Sequence, residues 1–172
     1  MVVGQDWGGT NYFDDNNGRD VQGNPTDINL IKLVETAGFS IQDVYLPQGQ
    51  NVLFFTNAIL CLKNGNLQAE VEKEWFKNCA SFLRRQIEIV NPPIVVGMGK
   101  HAYEAILSCF KLKAGRFRDE VEAANGRELP NGIHAFAVYH CGSKSVNMNR
   151  SMEEQIRDWQ RIQNFFEKQK II

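Results

Sequence analysis

Residues 2–9 read VVGQDWGG, an apolar run that stops at Gly4 and passes at once into an amide, a carboxylate, an indole and two glycines. So short an apolar run, closed by turn-forming residues, reads as a strand buried in the middle of a sheet. Similar runs recur at 52–56, 94–97 and 135–140. The intervals between them carry helical spacing instead. Ile28, Ile31, Leu33 and Val34 predict a helix over 27–37, and Val71, Trp75, Cys79, Phe82, Leu83, Ile87 and Val90 predict another over 68–90. A third helix is expected from Gly99 to about Phe110. Ser151 and Glu154 form a capping box that opens a last helix bearing Met152, Ile156, Trp159, Ile162 and Phe166. Strand and helix alternate, which predicts an α/β three-layer sandwich with a mainly parallel central sheet, a single domain over residues 1–172, and a ligand site where loops leave the carboxyl ends of the strands. The Gly/Asn/Asp-rich stretch 8–24 is expected to be one long functional loop.

Composition agrees with one well-formed core: 172 residues, 43% apolar and 23% charged. Lys plus Arg number 19 against 20 Asp plus Glu, a net charge of −1, so any site for a polyanion is local rather than a property of the whole surface. No apolar run is long enough to span a bilayer and no signal peptide opens the chain, so a cytoplasmic, monomeric protein without a membrane partner is expected. Cys61, Cys79, Cys109 and Cys141 form no close pair in sequence and are expected to stay reduced. GMGKH at 97–101 fails as a phosphate loop, because Ile94 and His101 stand where it needs a glycine and a hydroxyl residue. GQDWGG lacks the GxGxxG spacing of a dinucleotide fold.

Gln5 and Asp6, Asn57 in FFTNAILCLK, and His140 in AVYHCGSKS each stand at or just beyond the end of an expected strand. A parallel sheet would turn all of them toward one cleft. In their chain order these segments resemble the uracil-DNA glycosylase superfamily over nearly the whole length. VVGQDW is similar to its first catalytic motif, although Trp7-Gly8 replaces the Pro-Tyr of the best-known branch. FFTNAILCLK resembles the strand bearing the uracil-reading asparagine of the iron-sulfur branches, and ASFLRRQIEIVNPPIVVGMGKHA resembles their helix, proline turn and following strand. AVYHCGSKSVNMNRS resembles the second catalytic motif, usually His-Pro-Ser, whose loop presses into DNA.

The resemblance implies a glycosylase that hydrolyses the bond joining uracil, or a related deaminated base, to deoxyribose in DNA. Asp6 and His140 would be the catalytic pair. Cleavage leaves positive charge on the sugar and negative charge on the base, so a carboxylate and a hydrogen-bond donor answer the two needs. Asn57, whose amide matches O4 and N3–H of uracil, would read the base beside Gln5, with Trp7, Tyr12 or Phe13 as an aromatic floor for a flipped nucleotide. Lys144 and Arg150 would bind phosphates, with Val146 or Met148 as the wedge filling the vacated stack. Lys111, Lys113, Arg116 and Arg118 read as a solvated loop.

The chain also departs from the family. Cys61 and Cys79 match two of the four cluster-ligand positions of the iron-sulfur branches. The other two precede the first strand there, where this sequence has no residues, so a longer natural N-terminus is one expectation. As given, the sequence is expected to hold no cofactor and no metal, with Cys61 and Cys79 as buried small apolar residues. His140-Cys141-Gly142 replaces His-Pro-Ser, and Val21 is the nearest counterpart of the family's stacking phenylalanine. Each residue taken alone has an ordinary structural explanation: Asp6 as a turn cap, Asn57 as a partner for strand-end backbone, His140 as a bonded histidine at the core edge. A non-catalytic nucleic-acid or nucleotide binder of the same fold, and a small-molecule-binding α/β domain, therefore remain alternatives.

Overall fold

The computed structural model describes residues 1–15, 23–39, 41, 53–63 and 71–170, with the side chains of Asn147 and Lys170 left out. Its elements in chain order are β1 (Val2–Gly4), α1 (Thr10–Asp15), α2 (Pro25–Thr36), β2 (Phe55–Asn57), α3 (Lys73–Val90), β3 (Ile94–Met98), α4 (Lys100–Cys109), α5 (Phe117–Glu122), β4 (Arg127–Glu128), β5 (His134–Val138), α6 (Ser143–Met148) and α7 (Met152–Lys170). The sheet order is β2-β1-β3-β5-β4. Four strands run parallel, and β4 pairs antiparallel with β5 at one edge. This is the expected α/β sandwich around a mainly parallel sheet.

Strand periodicity sorts the core into two layers. Val3, Val95, Ala135 and Ala137 join Leu83, Ile87, Ile106 and Leu107 on the side of α3 and α4. Val2, Ile94, Val96, Phe136 and Val138 face Leu33, Val34, Trp159, Ile162 and Phe165 on the side of α2 and α7. Small residues bring α4 close: a Cβ on Gly97 would lie 2.6 Å from the Tyr103 Cα, so no side chain fits there. Helix α3 stops because Asn91 adopts a left-handed conformation (φ 43°) and two prolines follow it. The capping box forms as read, with Ser151 N–H donating to Glu154 Oε2 at 2.8 Å and Glu154 N–H to Ser151 Oγ at 3.3 Å.

Some boundaries differ from the sequence reading. The second strand lies at Phe55–Asn57 rather than 52–56, because β1 holds only three residues and its pairing from Val2↔Phe55 to Gly4↔Asn57 sets the register. Val52 lies outside the described residues, as does Val21. The long loop expected over 8–24 contains α1, and the basic run at 111–118 ends in α5, where Arg118 pairs with Glu122 at 3.1 Å. Among the described residues no helix is long and apolar enough to cross a membrane.

Candidate active site

Parallel pairing continues past the strand ends and builds the site. Beyond Gly4↔Asn57, Ala58 N–H donates to Gly4 O and Ile59 N–H to Gln5 O, both at 2.9 Å. The segments after β1 and β2 therefore run side by side, and Asn57 is held next to Gln5 and Asp6. On the other side β3 and β5 deliver Met98 and His140, and Gly99 (φ 93°) turns the chain into α4. Together they enclose a cavity of about 950 Å³. Gln5, Asp6, Trp7, Tyr12, Phe13, Asn57 and His140 all line it, so every base and sugar contact read from the sequence converges there.

Asp6 is held on three sides. Its Oδ1 accepts from Gly8 N–H at 2.8 Å and pairs with Lys63 Nζ at 3.1 Å, and its Oδ2 accepts from Gln5 Nε2 at 2.9 Å. Gln5 then has only its Oε1 left to accept, and it does so from His101 Nδ1 at 2.9 Å. His101 therefore carries its proton on Nδ1, and its ring meets Phe76 edge-on at 6.0 Å. Lys63 and His101 escaped the sequence reading. The one available signal for Lys63 was a lysine closing the apolar run AILCLK. That for His101 was its place at a helix start beside an expected cleft.

His140 presents the opposite tautomer. Gly142 N–H donates to its Nδ1 at 3.0 Å, so the neutral ring bears its proton on Nε2, free to donate into the cleft. Although solvent reaches the ring, the surrounding cleft walls displace water and hold its pKa below the ordinary histidine value, against the upward pull of the Asp6 charge. A glycine at 142 has a steric reason: a Cβ there would lie 3.0 Å from the imidazole. Gly4 has a similar one, since its Cβ would stand 2.3 Å from Asn57 Oδ1.

The residues read as DNA-facing separate into two groups, and none lines the cavity. Lys144 and Met148 are exposed on α6, four residues apart and hence on one face, and Met148 is 73% exposed. Val146 is half-buried. Arg150 points inward instead. Its guanidinium grips Asp158 through Nε and Nη2 at 2.7 and 2.8 Å, with side chains only 9% and 1% exposed, and reaches Glu122 at 3.4 Å. The phosphate reading of Arg150 thus gives way to a structural one, because a guanidinium bound through Nε and Nη2 to the buried Asp158 turns that donor pair away from a backbone. Arg150→Ala should destabilise the fold, toward the lower end of the about 3–5 kcal/mol typical of broken buried pairs, because Asp158 would keep, among the described residues, only Arg161 at 3.2 Å as its cation. Denaturant melts will read this, and the folded variant should keep its affinity for DNA.

The cysteines test the fit of a four-thiolate cluster. Cys79 is buried as expected but Cys61 is exposed, because it follows β2 on the loop leading to Lys63; the two meet nonetheless, with Leu60 N–H donating to Cys79 Sγ at 3.4 Å and the neighbouring Cys79 raising the Cys61 pKa. Cys109 lies elsewhere, donating to Ala80 O at 3.2 Å, and Cys141 contacts Met98 Sδ at 3.8 Å. Burial pushes these two thiols up to about 11 and about 12. Two meeting thiols are not four ligands, so the residues present do not fit the cluster.

Comparison with known proteins follows the same lines. A family model described as the Uracil DNA glycosylase superfamily matches residues 2–163. A type-5 uracil-DNA glycosylase of Pyrobaculum aerophilum is 27% identical over 147 residues, which cover 82% of this chain and 61% of that protein. A type-4 uracil-DNA glycosylase of Sulfurisphaera tokodaii is 28% identical over 102 residues, covering 56% of this chain and 44% of that protein. The chain thus spans less than two thirds of the length of either relative. The family match runs from the first strand into the last helix, through every segment that builds the cleft, and by it the chain belongs to the uracil DNA glycosylase superfamily.

Proposed function

We propose that this chain is a DNA glycosylase that removes uracil, or a related deaminated base, by hydrolysing its N-glycosidic bond. The observation that carries the reading is the convergence of an anchored carboxylate, a neutral imidazole with its N–H turned to the cleft, and an amide, all at the carboxyl ends of parallel strands. A flipped nucleotide fits a cavity of about 950 Å³. Asp6 stands beside the sugar, where its charge stabilises the cation that develops at C1′ and its oxygen orients the attacking water. His140 Nε2–H donates to O2 of the departing uracil, whose ring takes the electron pair of the broken bond. Each of these steps runs on the chain's own side chains, without a cofactor. DNA carrying a deaminated base is the partner, the protein acts as a monomer, and its free thiols suit the cytoplasm.

The test is incubation with single- and double-stranded oligonucleotides carrying uracil, hypoxanthine or xanthine, followed by alkaline cleavage. Strand scission at the lesion supports the reading. Tight binding with no scission at any base makes the chain a non-catalytic binder of the same fold.

Asn57 is assigned the base edge. Its NH₂ meets O4 and its C=O meets N3–H, whereas a carboxylate would face O4 with an acceptor. Asn57→Asp should lower uracil excision by at least about 10²-fold, since mismatched buried polar groups cost about 1–3 kcal/mol each and repulsion adds to that. A trace of cytosine excision is the expected gain, absent from Asn57→Ala. Gly4→Ala should mimic Asn57→Ala without unfolding the protein, because the atom its Cβ meets is the end of a movable side chain. Near wild-type uracil rates in Asn57→Asp would remove Asn57 from the pocket.

A further inference from the structure

We propose that Lys63 is a positioning residue for the chemical step: from beneath the cleft it fixes Asp6 through Oδ1, so that only Oδ2 has a lone pair left for water and sugar. This rests on the glycosylase reading and extends it to a residue that touches no substrate.

Lys63 is among the most buried charged groups of the chain, its side chain 3% exposed and that of Asp6 11%. A buried ammonium is costly unless paired, and a buried pair stabilises a fold no better than apolar residues of similar volume. Packing alone therefore gives no reason for a lysine here. Geometry does. The Lys63 backbone is bound to the same loop it serves: its N–H donates to Gly8 O at 3.4 Å, and it forms a parallel bridge with Gly9. Gly8 N–H in turn donates to Asp6 Oδ1, the oxygen that Lys63 Nζ approaches at 3.1 Å. Backbone and side chain of one residue thus close a ring around the carboxylate.

Counting lone pairs gives the consequence. A carboxylate oxygen accepts in two directions. On Oδ1 both are taken, by Gly8 and Lys63, and on Oδ2 one is taken by Gln5, which His101 locks from behind. A single acceptor direction remains on Oδ2, and the rotation of the carboxylate is blocked. Such preorganisation removes a reorientation cost at the transition state.

The experiment is a double-mutant cycle on Lys63→Met and Asp6→Asn. Single-turnover excision of uracil is measured alongside binding to an oligonucleotide with 2′-fluoro-2′-deoxyuridine, which resists cleavage because fluorine disfavours the sugar cation. Thermal melts confirm that each variant is folded at the assay temperature. Lys63→Met should slow excision by about 10-fold or more while leaving binding within about threefold, the pattern of a lost transition-state interaction. In the Asp6→Asn background the same change should alter the rate by less than about threefold, because the role runs through Asp6. Should Lys63→Met fail to fold, Lys63→Gln, whose shorter, uncharged side chain does not reach Oδ1 as the ammonium does, carries the same comparison. Equal losses in both backgrounds would mean that Lys63 only supports the fold, and an active wild type unaffected by Lys63→Met overturns the role outright. A wild type inactive on every deaminated base overturns the glycosylase reading itself, and the role of Lys63 with it.

Discussion

Asp6→Asn is expected to slow single-turnover uracil excision by about 10² to 10⁴-fold while DNA binding changes little, since the lost charge acts on a cation that exists only near the transition state. The substitution is close to isosteric, and the surroundings can adapt to it. The Asn carbonyl can keep the place of Oδ1, accepting from Gly8 N–H and facing Lys63. Its NH₂ then confronts the Gln5 NH₂, which relieves the clash by turning its carbonyl inward, and His101 follows by exchanging its ring proton between nitrogens. What cannot adapt is the charge balance at this oxygen, where the buried Lys63 ammonium no longer meets a carboxylate. The variant should therefore also lose stability, toward the lower end of the about 3–5 kcal/mol typical of broken buried pairs. Rates must accordingly be compared well below its melting temperature. A folded Asp6→Asn that excises within a few fold of wild type would remove Asp6 from the chemistry.

His140→Ala should cost about 10² to 10³-fold in the same assay, the scale on which single donors to a developing oxyanion act. The pH profile distinguishes this role from a structural one. Protonation of His140 must place a charge among cleft walls that displace water, and this lowers its pKa against the upward pull of the Asp6 charge. The neutral donor thus persists as pH falls through about 6.5, the ordinary histidine value, and the excision rate should hold its plateau past that point. Stability takes the matching sign. In that window the unfolded chain binds the proton first, so stability falls with falling pH between about 6.5 and the lower native value, and this contribution is absent above it. In His140→Ala the corresponding slope of melting temperature against pH should flatten. A wild-type rate that declines already above about pH 7 would assign the acid limb to a different group.

The fold was legible where one residue type decides the local outcome. The doubly buried runs around Val2, Val95 and Phe136 admit no element but a central strand. The spacing from Trp75 to Val90 admits only an amphipathic helix, and Ser151 with Glu154 names its own cap. The short helices α1, α5 and α6 and the two-residue β4 were not legible. Elements of one or two turns owe their stability to what they rest on, and local propensity is too weak to announce them. Strand β2 was misplaced for a related reason. Phe54 and Phe55 remain 39% exposed at the sheet edge, so hydrophobicity marks the strand without marking its register, which β1 dictates.

The site divides in the same way. Asp6, Asn57 and His140 could be named from the sequence because a parallel sheet sends all its carboxyl ends to one side, and each stands at or within two residues of its strand's end. Their partners could not. Lys63 reaches Asp6 only because the segments after β1 and β2 continue to pair, and His101 reaches Gln5 only because Gly97 lets α4 lie close against β3. Arg150 makes the same point in reverse, since its sequence neighbours face outward on α6 while its guanidinium turns to Asp158 on the next helix. By itself the sequence determined which groups are present and at which strand ends, because burial and period are local properties of a chain. Only the tertiary structure decided which lone pairs and protons remain open to a substrate, because that depends on which distant segments pack together.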